Sequence, residues 1–350
     1  MRVIVTGASG FLGKVACARL LGEGHEVLAL VRRPGSEPAG TTAVAGDLTD
    51  AASLGPAIAG AAPDAVVHLA AEIASQRSEQ KLRAVNVEGT RALIAACKAA
   101  GAPRIVFTST VVTGDARGRL LTEDVPLPVS TPYGRSKQDG ERLLAESGLP
   151  YVVVRPSHVY GPGGWYVEEL VARLRQPGRF CVIGRGANWW DVVHVDDVAS
   201  ALVFAIEDAP AATTYHCVDD EPITYQDFMA LTAKTLGLGP PRRIPQQLAR
   251  LAAGANAVDA LVRSARSSNA KLKAAGWAPR YPTAATGVPA ASPHSAELPD
   301  DRLAQLHGYG LCDTGCRSPV AKRSKRKGCS RVECSPARTR AISRPTASIL

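Results

Sequence analysis

The sequence predicts an α/β protein organised around a parallel β-sheet, and three observations carry that expectation. Strand-like and helix-period segments alternate from residue 2 to about 220, the pattern of repeated βα units. The apolar run Val3-Ile4-Val5 leads directly into a glycine-rich turn, Thr6-Gly7-Ala8-Ser9-Gly10-Phe11-Leu12-Gly13. A second apolar strand, His25 to Val31, follows the intervening helix at the distance a βαβ unit requires. At 350 residues the chain is long enough to bury a large core.

The first unit reads as strand, tight turn and helix. The helix, Phe11 to Leu21, turns its N-terminal N–H groups toward the glycines, an arrangement suited to a pyrophosphate. Gly7 permits the turn, Gly10 lets the backbone approach phosphates and Gly13 lets the helix sit close on the strand. Ser9, Phe11 and Leu12 complete the cradle. The spacing G-x-x-G-x-x-G departs from the dinucleotide fingerprint G-x-G-x-x-G, so its weight comes from its place between strand and helix. An acidic residue at the end of the second strand would hydrogen-bond the adenosine ribose of NAD. This chain has Val31-Arg32-Arg33 there, two cations able to pair with a 2′-phosphate. NADP(H) is therefore the favoured cofactor and NAD(H) the alternative, against a merely solvated basic turn.

Farther along, Ser130-Thr131-Pro132 reads as a helix start with a hydroxyl cap and an early proline. Tyr133 and Lys137 then fall on one helix face, one turn apart. A phenol titrates near ~10 and is a poor acid or base at neutral pH, but a fixed ammonium nearby favours the phenolate. Tyr133 is thus expected to move the proton while hydride passes to or from a nicotinamide. A lone Y-x-x-x-K is usually a surface pair; following a complete cofactor half, it points to chemistry.

With these residues in view, the chain resembles the extended short-chain dehydrogenase/reductase family. That group includes NAD(P)-dependent epimerase/dehydratases, dihydroflavonol-reductase-like enzymes and 3β-hydroxysteroid dehydrogenases. The resemblance covers about residues 1 to 283 and rests on ordered motifs: Thr6 to Gly13, Gly46-Asp47-Leu48, Val66 to Ala71, Asn86 to Thr90, Phe107 to Thr110, Tyr133 to Lys137, Arg155 to Pro162 and Val193 to Asp197. It implies a Rossmann-type doubly wound parallel sheet over residues 1–160, returning at about 188–220. A smaller C-terminal substrate lobe is implied over 161–187 and 221–283. It places Asp47 and Leu48 by the adenine, and Leu69, Ala70, Ala71, Asn86 and Thr108 along the cofactor. The backbone of Pro156, His158 and Val159 would meet the nicotinamide, and Lys137 its ribose.

The resemblance also implies a hydroxyl that orients the substrate oxygen. Aligned without a gap this is Thr110. The segment to Gly114 is one residue short and lacks the usual tyrosine, so Ser109 stays open. Val111-Val112 stands where sugar-nucleotide dehydratases carry Asp-Glu. Trp190, after Trp189, stands where epimerases commonly carry an arginine that meets the diphosphate. Val111, Trp189 and Trp190 are accordingly substrate-site candidates, and a small, partly apolar carbonyl or secondary alcohol is the expected substrate of an NADP(H)-dependent oxidoreductase. The alternatives are a sugar-nucleotide epimerase and a non-catalytic NADP-sensing regulator. The intact Tyr133/Lys137 pair argues against the last. The same resemblance implies a homodimer, with roughly Leu82 to Ala99 and Tyr133 to Ser147 as the expected contact helices.

Other polar residues read as structural. His68 lies inside an apolar strand, and Asp196 or Asp197 is placed to cap a helix over Val198 to Ile206, so no metal is expected. Cys17, Cys97, Cys181 and Cys217 are scattered and form no redox motif. No run is apolar enough to cross a bilayer and the first strand begins at Arg2, which points to a cytoplasmic protein without membrane partners. Residues 284–350 have one aromatic, 11 basic and 5 acidic residues, and so supply +6 of the formal +9. They read as a disordered basic tail, as a frameshifted end in GC-rich coding would give. Nucleic-acid binding is a weaker reading. A zinc knot of Cys312, Cys316, Cys329 and Cys334 is weaker too, because the spacings fit poorly.

Overall fold

Alternation at Val3, Ile4 and Val5 decides how the first strand, β1 (Arg2–Thr6), sits: Val3 and Val5 join one buried cluster and Ile4 another. Successive side chains of a strand face opposite ways, so both faces of this sheet are covered. A computed structural model describes residues 1–293 apart from Pro177 and Arg179. After β1 come α1 (Phe11–Gly22), β2 (Glu26–Val31), β3 (Thr42–Ala45), α2 (Ala51–Ala61) and β4 (Ala65–His68). Helix α3 (Glu79–Arg83) passes through a wider π turn, Ala84–Gly89, into α4 (Thr90–Ala99). Then follow β5 (Arg104–Thr108), the short β6 (Leu120–Leu121), α5 (Pro132–Ala145) and β7 (Tyr151–Pro156).

The chain next forms β8 (His158–Tyr160), a π turn at Tyr166–Val171, α6 (Ala172–Arg175), β9 (Phe180–Ile183), β10 (Trp189–Trp190) and β11 (Val192–His194). It returns through α7 (Val195–Glu207) to β12 (Thr213–Cys217). The remaining elements are β13 (Ile223–Thr224), α8 (Tyr225–Thr235), β14 (Arg242–Ile244), α9 (Gln246–Ala253), α10 (Ala255–Val262), β15 (Arg266–Ser267), α11 (Ala270–Ala274) and α12 (Ala284–Ala291).

The main sheet has seven strands in the order β12-β7-β5-β4-β1-β2-β3, all parallel. Leu20 of α1 and Leu202 of α7 pack on one face; Leu54 and Ile58 of α2 and Leu93 of α4 pack on the other. The fold is the expected doubly wound sheet. Its order reverses between β1 and β4, so the carboxyl ends of those strands, Thr6 and His68, flank the crevice where such sheets bind ligands.

A third cluster forms the smaller lobe around Tyr160, Tyr166, Phe228, Trp190 and Val288. Here the structure corrects the expected boundary at residue 284. Instead of opening a disordered tail, Ala284, Val288 and Ala291 of α12 are buried in this cluster, and Thr283 caps the helix reciprocally with Thr286. The helix uses small residues where a bulky apolar face was sought. A Cβ on Gly287 would stand 2.1 Å from Tyr160 Oη, so only glycine lets α12 lie against that ring. The rest of the basic tail, with its cysteines, lies outside the described residues.

The expected cap of α7 is also corrected. The helix starts three residues earlier, and the Nδ1 atom of His194 accepts from the Asp196 N–H at 3.2 Å. Asp197 is buried and instead accepts from the N–H groups of Arg280 and Tyr281, at 2.5 and 3.0 Å, tying α7 to the segment before α12.

Candidate active site

The glycine turn after β1 is built by close backbone approach. Gly7 has φ +69°, and a Cβ there would stand 2.8 Å from Ala70 N; one on Gly13 would stand 2.1 Å from the Gly7 carbonyl oxygen. Gly10 is different: it is exposed, and its Cβ would meet only the Gly7 oxygen, at 3.2 Å. It therefore faces open space, with Ser9 exposed beside it, and no side chain caps α1. An uncapped helix N-terminus beside a bare glycine fits a pyrophosphate. Phe11 leans the other way, its ring 2.8 Å from where a Gly164 Cβ would be, while Leu12 packs on the core. Arg32 and Arg33 are exposed directly after β2 and make no ion pair among the described residues. Asp47 accepts from the N–H and hydroxyl of Thr49, and these bonds, aided by the charge of Arg32, hold its carboxyl below the usual range. Leu48 is buried beneath it.

Across the crevice, Leu69 and Ala70 are tied to β1: their N–H groups donate to the Thr6 carbonyl oxygen at 3.3 Å and the Thr6 hydroxyl at 3.1 Å. Ala71 follows, partly exposed. His68 is fully enclosed, with Nδ1 2.8 Å from the Thr6 hydroxyl and Nε2 3.0 Å from the Thr90 hydroxyl. Thr90 donates to the Asn86 carbonyl oxygen, so Nε2 carries the proton and Nδ1 accepts. Burial pulls the pKa of this imidazole down to about 3, consistent with a structural histidine. Asn86 also serves the protein: its amide accepts from Glu72 N–H and donates to the Glu72 carbonyl oxygen and the Ser136 hydroxyl.

At the end of β5, the hydroxyls of Thr108 and Ser109 are buried without a partner among the described residues, as is that of Ser157 beyond β7. Thr110 is engaged, donating to the Pro156 carbonyl oxygen at 3.2 Å and accepting from Val112 N–H at 2.9 Å. Such hydroxyls, on the same carboxyl edge of the sheet as the glycine turn, fit a polar ligand such as a nicotinamide nucleotide. Val159 lies in β8, its carbonyl oxygen accepting from the Trp165 indole at 2.7 Å.

Helix α5 brings Tyr133 and Lys137 to this edge. Thr131 caps it, accepting from Gly134 N–H at 3.0 Å, with Pro132 in the first turn. Gly134 and Gly140 let the helix lie close; Cβ atoms there would stand 2.9 Å from Thr113 Cα and 2.7 Å from Phe107 Cζ. Lys137 is buried, its Nζ 4.2 Å from the Phe107 ring centroid, and burial lowers its pKa to about 7. Tyr133 departs from expectation. Burial pushes its phenol up to about 12, and the cation that opposes this is Arg263, not Lys137.

Sequence reasoning missed Arg263 and the side-chain role of His158. Together with Val111, Val112, Trp189, Trp190, Asp191 and Ala265 they line a cleft. His158 stacks on Trp190 at 3.9 Å between ring centroids. Its Nδ1 donates to the Asp191 carbonyl oxygen at 2.7 Å, which leaves Nε2 to accept from Arg263 Nη2 at 2.6 Å. Asp191 is buried, and burial raises its pKa to about 7 against the opposing pull of Ser267 and of the Arg263 and Arg266 charges. Trp189 is half-buried with the Arg266 guanidinium 5.2 Å from its ring, whereas Val111 and Trp190 are buried. Arg263 sits in a stretch that reads only as the end of an apolar helix, so no local pattern marks it.

A model of the NAD dependent epimerase/dehydratase family matches residues 3–217. The chain is 33% identical over 302 residues to a 3-diazoavenalumate denitrifying reductase from Streptomyces, covering 82% of this chain and 99% of the relative. It is 34% identical over 246 residues to a 2-alkyl-3-oxoalkanoate reductase from Stenotrophomonas maltophilia, covering 65% of this chain and 74% of that protein. Among solved structures, the complex of the Thermus thermophilus UDP-glucose 4-epimerase with NAD aligns with a TM-score of 0.71 at 27% identity, covering 83% of this chain and 97% of that one.

Proposed function

This chain belongs to the NAD-dependent epimerase/dehydratase family of NAD(P)-dependent enzymes, and we propose that within it the protein is an NADP(H)-dependent reductase of a small, partly apolar ketone. The observation that carries this reading is the Tyr133/Lys137 pair on α5, held at the sheet edge beside unclaimed hydroxyls and an aromatic cleft. The exposed Arg32 and Arg33 supply the 2′-phosphate contacts and favour NADP(H) over NAD(H). Bound NADPH supplies the hydride. Gly10 and the open end of α1 hold the pyrophosphate, and Lys137 binds the ribose hydroxyls.

Tyr133 gives its phenolic proton to the carbonyl oxygen as negative charge develops there. A phenol is protonated at neutral pH, and burial pushes this one further up, to about 12, so Tyr133 rests in the protonated form that a proton donor in reduction requires. A hydroxyl from Ser109, which is unclaimed, or Thr110, which is already bonded, orients the same oxygen. Trp189 and Trp190 wall the site with apolar surface, which favours a ketone over a sugar diphosphate.

The test is consumption of NADPH and NADH against a panel of ketones by the wild type and by Tyr133→Phe. Turnover lost with NADPH binding retained supports the mechanism. Turnover unchanged in Tyr133→Phe sinks it. Cofactor that copurifies tightly, with no net oxidation by any ketone, would replace the reductase reading with an epimerase.

A further inference from the structure

Of the residues lining the cleft beside Tyr133, Arg263 alone is a cation at neutral pH. Its guanidinium is only partly exposed and makes no ion pair among the described residues. Among the described residues the one hydrogen bond it forms goes to His158 Nε2, and His158 is itself fixed by the Asp191 carbonyl oxygen and the Trp190 ring. One of five N–H donors is thereby used and the fork is held in place. The carboxylates of Asp115 and Asp191 attract it from a distance, yet Asp115 accepts the N–H groups of Arg117 and Ser264 instead.

Resting on the reductase reading, we propose that Arg263 is an anion-recognition residue that selects a ketone carrying a carboxylate. A desolvated cation whose remaining donors are unclaimed is costly alone and is satisfied by a planar anion presenting two oxygens. A carboxylate matches the fork with two parallel bonds, and a neutral ester leaves those donors unpaired, which is how a site rejects an analogue lacking the group it is built to bind. The apolar sides of the cleft, Val111, Val112, Trp189 and Ala265, take the carbon chain. Burial, which pulls the Arg263 pKa to about 10, marks the same lack of solvent around the charge.

The experiment compares a keto acid with its methyl ester as NADPH-dependent substrates of the wild type, Arg263→Met and Arg263→Lys, alongside calorimetric binding of the corresponding hydroxy acid to the protein with NADP+. The wild type is expected to prefer acid over ester on the order of 10- to 100-fold in kcat/KM, as a charge-assisted hydrogen bond permits. In Arg263→Met that ratio collapses, chiefly through KM for the acid, and Arg263→Lys recovers part of it. Equal use of acid and ester by the wild type overturns the proposal, as does a loss in Arg263→Met that is equal for both or that tracks weaker NADPH binding. Arg263-dependent binding of the hydroxy acid without turnover of any ketone keeps the anion site and sinks the reductase reading. Turnover of neutral ketones with no preference for the acid does the reverse, and absence of both binding and turnover overturns both.

Discussion

The ammonium of Lys137 lies 4.2 Å from the centroid of the Phe107 ring, buried and without an ion pair among the described residues. A ring face attracts a cation but replaces little of its hydration, so the folded state disfavours the charge and the pKa falls from 10.5 to about 7. Folding therefore sheds a proton that the unfolded chain retains between those values. The penalty is absent above the unfolded pKa, grows as pH falls, and is complete below about pH 7. Lys137→Met is expected to raise stability at neutral pH by roughly 1–3 kcal/mol, to lose that advantage as pH approaches 10.5, and to abolish turnover. Urea denaturation across that range, with an activity assay beside it, checks this. A destabilised variant would show that the ammonium is well satisfied in the free protein.

Gly13 and Gly60 offer a matched pair. Both are helical, but a Cβ on Gly13 would meet the Gly7 oxygen at 2.1 Å and the Ala8 oxygen at 2.7 Å, whereas one on Gly60 of α2 would meet nothing within 4 Å. Gly13→Ala must push α1 off β1, at a cost of ~1–3 kcal/mol, and should weaken NADPH binding. Gly60→Ala should stabilise by roughly 0.5–1 kcal/mol through helix propensity. Thermal melts and cofactor titration distinguish them. Equal effects would mean that the turn yields to accommodate a side chain.

Arg32 and Arg33 are exposed after β2 and make no ion pair among the described residues. The double variant Arg32→Ala/Arg33→Ala should raise KM for NADPH on the order of 10- to 100-fold, as loss of charge-assisted bonds to a phosphate predicts, and leave KM for NADH nearly unchanged. Steady-state kinetics with both cofactors decides it. Parallel loss with the two would remove the basis for preferring NADP(H).

What could be read from the chain follows from the range of the interactions. The β1 turn, α1 and the start of α5 are local: strand period, glycine spacing and a Thr-Pro cap lie within a few residues, and each appears as expected. The bond between His158 and Arg263 joins residues 105 apart in sequence, and neither side announces the other. Helix α12 hid for another reason. Its buried face is Ala284, Gly287, Val288 and Ala291, chosen for closeness to Tyr160 and not for apolar bulk, so hydropathy period could not find it. At α7 the acidic pair looked like the cap, but Asp197 was needed by the backbone at Arg280 and Tyr281, and His194 took its place.

Asp219 gives the last test. It is buried, neither carboxylate oxygen has a hydrogen-bond partner among the described residues, and burial first, then the charges of Asp197, Asp220 and Asp191, raise its pKa from 3.8 to about 9. The folded protein thus keeps a proton that the unfolded chain releases. Between those two values the folded state binds more protons, so stability falls as pH rises from about 4 to about 9 and is flat on this account outside that window. Asp219→Asn is close in size and cannot ionise. The variant should match or slightly trail the wild type near about pH 4 and exceed it progressively toward about pH 8, read as the shift in urea midpoint at each pH. An offset that is the same at every pH would mean that Asp219 finds a partner in solution and ionises as an ordinary carboxylate.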